Sequence, residues 1–259
     1  MIILTGAKGF IGRNFKSKLG DDIIELDKDD CWHFLRTFEQ WDKVSLIIHQ
    51  GAISSTTEKN IFTLHHYNVS FTLQLFHYAL MYKIPVKYAS SASVYGNTQD
   101  KINPLNYYAI SKLQIDYFVQ DNLDRFSSIQ GFRYFNVYGE GEDDKGDQAS
   151  PVSKFTKQIK ETGSLNLFEG SDKFLRDFVC VNDLVDIVLN NDKPSGIYDL
   201  GTSNPTSFQH VAECVVDKYN GKINMIPFPE HLRGKYQNYT CAKEEWGDYK
   251  FTTVKEYLE

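Results

Sequence analysis

This chain lacks paired cysteines, long apolar runs and an excess of positive over negative charge. Its four cysteines are Cys31, Cys180, Cys214 and Cys241, and no C-x-x-C pair joins them. Scattered cysteines in a chain of 259 residues are typical of reduced thiols in a cytoplasm, and none stands at zinc-ligand spacing from the seven histidines. We therefore expect a cytoplasmic location, no disulfide framework and no metal site.

Apolar runs stay short, and none approaches the ~20 residues of a membrane-spanning helix. Residues 1–6 reach a glycine too early for the apolar core of a signal peptide. The formal net charge of -6 argues against nucleic acid or an anionic membrane as a partner. Any phosphate must therefore be bound by local groups rather than by a basic surface.

What the sequence does contain is an alternation of apolar runs with helically spaced apolar stripes. Short runs predict strands at 2–4, 23–26, 46–49, 86–90 and 129–136. The 3.6-residue spacing predicts helices at 10–19, 61–82 and 107–124. This order predicts an α/β fold with a doubly wound parallel sheet covered on both faces.

The pattern changes after residue 136. Residues 139–148 are rich in Gly, Asp and Glu and predict a loop, and helices are predicted at 151–162 and 208–219. Strand-like runs at 178–181 and 197–200 suggest a return to the sheet. We therefore expect a nucleotide-binding domain over 1–136, with returning segments at about 178–202, and a smaller, interleaved substrate lobe over 137–259.

A glycine motif joins the first strand to the first helix. Gly6 permits a tight turn, Gly9 lets a pyrophosphate approach the backbone, and Gly12 lets helix and strand pack closely. Asp27 ends the second strand, where a carboxylate can bind the adenosine ribose. In this context the motif predicts a Rossmann-type dinucleotide site. Lys28 either pairs with a 2′-phosphate, which would favour NADP over NAD, or is a solvated lysine.

A second constellation follows in Y-x-x-x-K, formed by Tyr108 and Lys112 at the start of a predicted helix. Residues four apart share a helix face, so the ammonium should lower the pKa of the phenol and ready it for proton exchange. Ser90 and Ser91 end the preceding strand and offer a hydroxyl to a substrate oxygen. Joined to the glycine loop, these residues indicate a redox enzyme rather than a surface ion pair.

Several longer blocks carry a resemblance to a known family, the extended short-chain dehydrogenase/reductases. Within that family the chain resembles the ADP-L-glycero-D-manno-heptose 6-epimerases. The similarity runs almost end to end and is strongest at 49–58, 88–96, 104–108, 131–139, 167–171, 176–179 and 226–229. The Gly-Phe-Arg-Tyr-Phe-Asn-Val-Tyr-Gly and Phe-Glu-Gly-Ser blocks are specific to the subfamily.

The resemblance implies an epimerase that oxidises C6″ of an ADP-heptose with tightly bound NADP (or NAD) and returns the hydride to the other face. It implies Tyr108 and Lys145 as two proton carriers, Ser91 as the group that binds the reacting oxygen, and Lys112 as a cofactor ligand that tunes Tyr108. From the residues alone, Lys145 lies in an acidic segment expected to be solvated. There Glu142, Asp143 and Asp144 would oppose a lowered pKa of Lys145 unless they face solvent.

The resemblance also implies two sets of binding residues. For the cofactor they are Gly6, Gly9, Phe10, Ile11, Gly12, Asp27, Lys28, Gln50, Gly51, Ala52, Ser54, Asn68, Lys112 and Val137. For the nucleotide-diphosphate sugar they are Ser91, Asn136, Asp147, Lys154, Phe168, Glu169, Gly170, Ser171, Arg176 and Tyr236. The planar fork of an arginine suits a diphosphate, which favours Arg176 in that role.

Three departures from the family pattern stand out. The segments 28–45 and 92–107 are both short, so we expect a more open adenine side and a wider rim. Asp147 stands where the family has a serine, and Lys154 where it has a histidine. An aspartate near a diphosphate is unfavourable, and Lys154 could compensate for it.

Competing hypotheses remain. A 4,6-dehydratase needs an acid pair directly after the catalytic serine, whereas Ala92 and Ser93 stand there and cannot serve. A 4-epimerase or reductase of another nucleotide sugar stays open, as does a non-catalytic NAD(P)-binding relic. The apolar stripes of 61–82 and 107–124 either face the sheet or pair across a homo-oligomer, as in extended members of the family.

Overall fold

In the computed structural model of the chain, residues 1–98, 100–230 and 237–259 are described, all but residue 143 with their side chains. Six parallel strands form the central sheet: β1 (Ile2–Thr5), β2 (Ile23–Leu26), β3 (Leu46–His49), β4 (Val86–Ser91), β5 (Ile129–Tyr134) and β10 (Gly196–Leu200). Their order is β10-β5-β4-β3-β1-β2. The direction of winding therefore reverses between β1 and β3, which is the place where doubly wound sheets bind ligands.

Helices cover both faces of this sheet, as the alternation predicted. They are α1 (Phe10–Leu19), α2 (Cys31–Thr37), α3 (Ile61–Leu64), α4 (Phe71–Tyr82), α5 (Tyr107–Gln120) and α7 (Val181–Asn190), with a π-helical turn at His65–Ser70 between α3 and α4. Successive strand residues point to opposite faces. Ile3 and Ile47 therefore pack in one core with Phe76 of α4, and Leu4 and Ile48 in the other with Phe15 of α1.

The later part of the chain builds a third core beside the sheet. Its elements are β6 (Asn136–Tyr138), α6 (Pro151–Thr162), β7 (Ser164–Phe168), β8 (Leu175–Arg176), β9 (Phe178–Cys180), β11 (Thr206–Ser207), α8 (Phe208–Tyr219), β12 (Lys222–Ile226) and α9 (Val254–Leu258). The short strands pair as β6–β9, β7–β12 and β8–β11. Within the described residues, β10 is the one later strand that returns to the main sheet, beside β5. The run at 178–181, expected to return as well, forms β9 instead and pairs with β6. The division into two domains at residue 136 stays a prediction.

The abbreviated segment between β2 and β3 is closed by aromatic packing. After α2 a 3₁₀ turn at Trp41–Lys43 leads into β3. The Trp41 ring is buried and stacks on Tyr78 of α4, with ring centroids 4.2 Å apart. A short helix and one tryptophan thus complete the core on the α4 face of the sheet. Among the described residues, no helix is long and apolar enough to cross a membrane.

Candidate active site

The glycine loop joins β1 to α1 in a path that only glycine allows. Gly6 has φ +71°, and a Cβ there would lie 2.7 Å from the backbone of Gly51 after β3. A Cβ at Gly12 would lie 1.9 Å from the carbonyl oxygen of Gly6. Glycine therefore lets the first turn of α1 press against the loop and lets the loop press against the end of β3.

A cavity of about 480 Å³ opens over this loop at the carboxyl ends of β1 and β3. Its lining includes most residues expected from the sequence to hold the cofactor: Gly6, Gly9, Phe10, Ile11, Gly12, Asp27, Lys28, Gln50, Gly51, Ala52 and Ser54. These positions come from three separate stretches of chain. The fold therefore brings into one cavity the residues that separate sequence motifs predicted to bind the cofactor.

The chemistry of this cavity fits a dinucleotide. The α1 N-terminus faces it, and such a terminus offers backbone N–H groups to phosphates. Gln50 lines the cavity, and its buried amide nitrogen Nε2 has no hydrogen-bond partner among the described residues. Its Oε1 accepts a hydrogen bond from the Tyr134 hydroxyl at 3.0 Å, which fixes the amide. A buried donor without a partner is costly unless a ligand satisfies it.

Asp27, Lys28 and Tyr67 line the cavity together. The Asp27 carboxylate accepts from the backbone N–H of Lys8 at 3.2 and 3.3 Å, and burial raises its pKa. The Lys28 ammonium lies 5.1 Å from the centroid of the Tyr67 ring. Tyr67, which belongs to the π-helical turn and lines the cavity, was not anticipated from the sequence.

Three residues expected to bind the cofactor lie outside the cavity lining: Asn68, Lys112 and Val137. Asn68 is buried, and its amide accepts from Ile53 N–H at 2.8 Å and donates to Ile53 C=O at 3.0 Å. It also donates to Ser111 Oγ at 3.0 Å. The π-helical turn thus uses Asn68 to hold the loop after β3 against α5. Val137 lies in β6, partly buried against the core under α1.

Tyr108, Ser91 and Lys112 come together where β4 ends and α5 begins. Asn106 caps α5 by accepting from Ala109 N–H at 2.8 Å, which places Tyr108 in the first turn. Ser91 Oγ accepts from the N–H and the hydroxyl of Ser93, at 3.2 and 2.8 Å. Since both lone pairs are used, the Ser91 hydroxyl hydrogen is directed to Tyr108, to which it is hydrogen-bonded.

The electrostatics of this group differ from the sequence-based expectation. Burial raises the pKa of Tyr108, and the hydrogen bond from Ser91 opposes that rise. The expected lowering by Lys112 is absent because the Lys112 ammonium donates to the Ala89 carbonyl at 2.8 Å and lies 6.0 Å from the Tyr108 ring centroid. Burial lowers the pKa of Lys112 itself to about 8, with Asp116 opposing.

The segment carrying Lys145 is solvated at Asp144 and Asp147, as the sequence suggested, but not at Glu142. Glu142 is buried, and its carboxylate accepts from Gly139 N–H at 3.0 Å and from the Ser150 hydroxyl and N–H at 2.8 and 2.6 Å. The correction has a simple cause: two backbone N–H groups and one hydroxyl replace water around this carboxylate. Asp144, as expected, is exposed.

The loop turns Lys145 inward, into the cofactor cavity. Its ammonium lies 4.8 Å from the centroid of the Phe10 ring, and Lys145 lines the cavity with the glycine loop. Arg13 of α1 ties this loop down by donating to Asp144 and to the Gly141 carbonyl, both at 2.7 Å. Burial lowers the pKa of Lys145, while Glu142 raises it.

The residues expected to bind the sugar nucleotide lie beyond the cavity, in the third-core region. Arg176 is buried, with its guanidinium 5.8 Å from the centroid of the Phe208 ring. Ser171, also buried, donates to the Phe168 carbonyl at 2.6 Å. Glu169 and Gly170 are exposed in the turn between them. Phe168 ends β7, Glu169, Gly170 and Ser171 follow it directly, and Arg176 lies in β8.

Four further expected positions have local partners or lie outside the described residues. Asn136 accepts from the Thr240 hydroxyl at 3.1 Å. The Lys154 ammonium donates to the backbone carbonyl of Asp147 at 2.8 Å, so it approaches this residue as the sequence suggested, although not through the carboxylate. Tyr236 lies outside the described residues.

Some buried charges of the site were missed from the sequence. Asp177 is fully buried and accepts from the Thr202, Ser203 and Ala242 N–H groups at 2.7, 2.9 and 2.8 Å. Asp116 of α5 and Arg133 of β5 form a buried ion pair at 2.9 Å. The available signal was charge inside an apolar run, because Asp116 interrupts a helical stripe and Arg133 a strand.

Comparison with known proteins agrees with this geometry. The model of the NAD dependent epimerase/dehydratase family matches residues 2–201. The chain is 38% identical to the ADP-L-glycero-D-manno-heptose-6-epimerase of Alkalilimnicola ehrlichii, over 93% of this chain and 88% of the relative. The resemblance inferred from the sequence blocks is thereby confirmed.

Solved structures agree at the level of the fold. The ADP-L-glycero-D-manno-heptose-6-epimerase of Helicobacter pylori superimposes with a TM-score of 0.83 and 25% identity, covering 99% of this chain and 93% of the other. The UDP-glucose 4-epimerase of Thermus thermophilus, solved with NAD, gives 0.78 and 21%, covering 93% and 90%. With its Rossmann-type sheet, its glycine-loop cavity and this family match, the chain is an enzyme of the NAD dependent epimerase/dehydratase family.

Proposed function

We propose that this enzyme is a nucleotide-sugar epimerase that inverts C6″ of an ADP-heptose by transient oxidation and re-reduction. The observation that carries the proposal is a single arrangement of groups. Ser91, Tyr108 and Lys112 meet at the end of β4, and a second basic side chain, Lys145, lies inside the neighbouring dinucleotide cavity. Two proton carriers on different sides of the site suit an inversion in which the oxidised intermediate turns over between hydride removal and hydride return.

Each residue has a stated task. Ser91 turns its hydroxyl hydrogen from Tyr108 to the reacting hydroxyl oxygen, and Tyr108 Oη accepts the proton of that oxygen. Lys145 Nζ exchanges the proton on the other face, and its position away from bulk water favours a neutral amine that can accept one. Arg176, Ser171 and Asn136 bind the diphosphate and sugar. For Asn136 and Arg176 this is supported by Thr240, which donates its hydroxyl to Asn136 and its backbone N–H to the carbonyl of Leu175, the neighbour of Arg176.

The cavity residues hold the nicotinamide dinucleotide, which when bound supplies a reversible hydride acceptor. The glycine loop binds its pyrophosphate, Asp27 the adenosine ribose, and the unpartnered Gln50 amide a polar group of the ligand. We favour NADP over NAD because Lys28 lines the same end of the cavity as Asp27 and can reach a 2′-phosphate.

We also propose a homodimer formed through α3, α4 and α5. Phe62 of α3 is 88% exposed, and Tyr117 of α5 is 52% exposed. Further exposed apolar side chains on these helices are Ile61, Met81, Tyr82, Tyr107 and Ile110. An exposed apolar face of this kind is typical of a surface that binds another protein. A reducing, cytoplasmic compartment is supported by four cysteines that are all free thiols.

The direct test is a proton NMR time course of the purified enzyme with ADP-D-glycero-D-manno-heptose and no added cofactor. Conversion to the L-glycero epimer is expected, because a cofactor that is restored in each cycle stays with the protein. Tyr108→Phe and Lys145→Met should each slow conversion by about 10²-fold or more. No conversion, even with NADP or NAD added, would refute the heptose assignment and favour another nucleotide sugar.

A further inference from the structure

Lys112 and Asp116 are opposite charges that stand one helical turn apart and are both buried. Residues four apart on a helix normally pair, and a buried pair is strongly attracted. Yet Lys112 donates to the Ala89 carbonyl at 2.8 Å, and no ion pair joins it to Asp116 among the described residues. Some other group must therefore hold Asp116.

Both carboxylate oxygens of Asp116 already have donors from the sheet. The Tyr88 hydroxyl donates to Oδ1 at 3.0 Å, and Arg133 Nε donates to Oδ2 at 2.9 Å. Asp116 is 0% exposed, and the Arg133 side chain is 12% exposed, so water screens this pair only weakly. The negative charge of Asp116 is thus compensated from β5 rather than by Lys112.

Arg133 also reaches the segment that carries Ser91. It lies opposite Ser90 in the β4–β5 register. Its second nitrogen donates to the Tyr95 hydroxyl at 2.8 Å, and Tyr95 donates to buried Asp199 of β10 at 2.6 Å. Tyr95 ends the 3₁₀ turn that Ser91 caps. One guanidinium therefore links the Tyr108 helix to the turn that begins at Ser91.

We propose that Arg133 is a positioning residue that engages Asp116, so that the Lys112 ammonium stays on the Ala89 carbonyl beside Tyr108 instead of pairing along its own helix. This inference rests on the proposed function, since it takes Tyr108 and Lys112 as parts of the proton-transfer group. Without Arg133, Asp116 carries an uncompensated charge and draws Lys112 one turn away from the site.

The groups that face Lys112 come from three elements. Asp116 and Tyr108 lie on its own helix, and His49 of β3 interacts with it electrostatically. Burial lowers the pKa of His49 to about 3, so this ring is neutral at working pH. Arg133 of β5 acts through Asp116. A change at Arg133 would therefore leave the Asp116 carboxylate free to attract the Lys112 ammonium.

The test measures the pKa of Lys112 by NMR in ¹³C-lysine-labelled protein without substrate, with its signal identified by loss in Lys112→Met. In the wild type we expect about 8. Arg133→Met should raise this pKa by about 1 unit or more, because an unopposed carboxylate favours the charged lysine. Arg133→Met combined with Asp116→Asn should return it to the wild-type value or below.

Tyr95→Phe is the matched control, since it removes the other hydrogen bond of Arg133 and leaves the bond to Asp116. It should not move the pKa of Lys112. If Arg133→Met does not fold, Arg133→Gln serves instead, because its amide can still donate to Asp116 without neutralising it. A folded variant of either kind with an unchanged Lys112 pKa overturns the proposal.

Turnover gives the second readout and separates the two proposals. Arg133→Met should lower kcat at least tenfold with little change in KM, and Asp116→Asn in the same chain should recover part of the loss. A merely structural role would give no recovery of kcat. If the wild type converts no ADP-heptose while the NMR shifts appear as stated, the proposed function fails and the role of Arg133 stands.

Discussion

At the scale of single residues, the buried position of Lys112 beside Tyr108 lowers the stability of the folded chain. It is 7% exposed, and its pKa of about 8 lies below the ordinary value of 10.5. Burial disfavours the ammonium, and one carbonyl and a distant carboxylate do not fully replace water. The folded chain keeps this cation in place at a cost in its free energy of unfolding.

Because burying the Lys112 ammonium is unfavourable, we expect the stability of Lys112→Met relative to the wild type to depend on pH. Between pH 8 and 10.5 the unfolded state binds more protons than the folded state, so the penalty is complete below pH 8 and fades as the pH rises to 10.5. At pH 7 the penalty is roughly 3 kcal/mol. Urea unfolding should find Lys112→Met more stable than the wild type at pH 7, with the gap narrowing towards pH 10.5. A variant less stable at pH 7 would contradict this.

Lys28 gives a prediction about the cofactor. Lys28→Gln removes the cation at the adenine end of the cavity and should weaken NADP binding about tenfold or more, because a charge-assisted bond to the 2′-phosphate is lost. NAD binding, measured by the same calorimetric titration, should change little. Lys43→Gln, at an exposed lysine outside the cavity lining, is the control. Equal loss for both dinucleotides would contradict the assignment.

At the scale of elements, one hydrogen-bonded chain locks the ends of β1 and β3 to α4. Thr5 Oγ1 accepts from Gly51 N–H at 2.9 Å, so its own hydrogen goes to His49 Nδ1 at 2.7 Å. His49 Nε2 then donates to Thr72 Oγ1 at 2.8 Å, and Thr72 donates to the Asn68 carbonyl. The chain requires a neutral imidazole with its proton on Nε2. It fixes Gly51, against which the glycine loop packs.

His49 therefore makes the fold sensitive to acid. Its pKa of about 3 lies below the ordinary 6.5, so the stabilisation is complete above pH 6.5 and is lost as the pH falls towards 3. Between pH 7 and 5 the loss is about 2 kcal/mol. His49→Gln should lose less free energy of unfolding over this range, whereas His33→Gln, at an exposed histidine, should behave as the wild type. Equal acid sensitivity in both variants would contradict this role.

Regular elements were predictable because their periodicities were clean. The helices at 10–19, 151–162 and 208–219 and the strands at 23–26 and 46–49 have the bounds predicted from sequence. Local spacing and apolar faces decide these elements. The short strands β8 and β11 could not be found this way, because two residues carry no period and pairing across the chain decides them.

The site was predictable in part for the same reason. The glycine loop and Y-x-x-x-K are local patterns, and the structure places the first between β1 and α1 and the second at the start of α5, as expected. The burial of Glu142 and the engagement of Asp116 depend on partners far away along the chain, such as Arg133 of β5. An acidic residue in a charged segment is usually solvated, so sequence alone assigned Glu142 the wrong environment.

At the scale of the whole molecule, the exposed face of α3 and α5 predicts the assembly. Light scattering should give about twice the 29.9 kDa of one chain. Phe62→Glu combined with Tyr117→Glu should yield a monomer, because two carboxylates on the apolar face oppose its burial. Met225→Glu, at a 53% exposed methionine of β12, should stay dimeric. A wild-type monomer at micromolar concentration would contradict the proposal.

The most direct test of the central claim follows one hydrogen atom. ADP-D-glycero-D-manno-heptose carrying deuterium at C6″ is converted by the enzyme in ordinary water, and the product is examined by NMR and mass spectrometry. The account predicts the L-glycero epimer with deuterium still at C6″, because hydride leaves that carbon and returns to it without exchange. An epimer that has lost its deuterium to solvent would mean that C6″ is inverted by proton abstraction, and would contradict a redox epimerase.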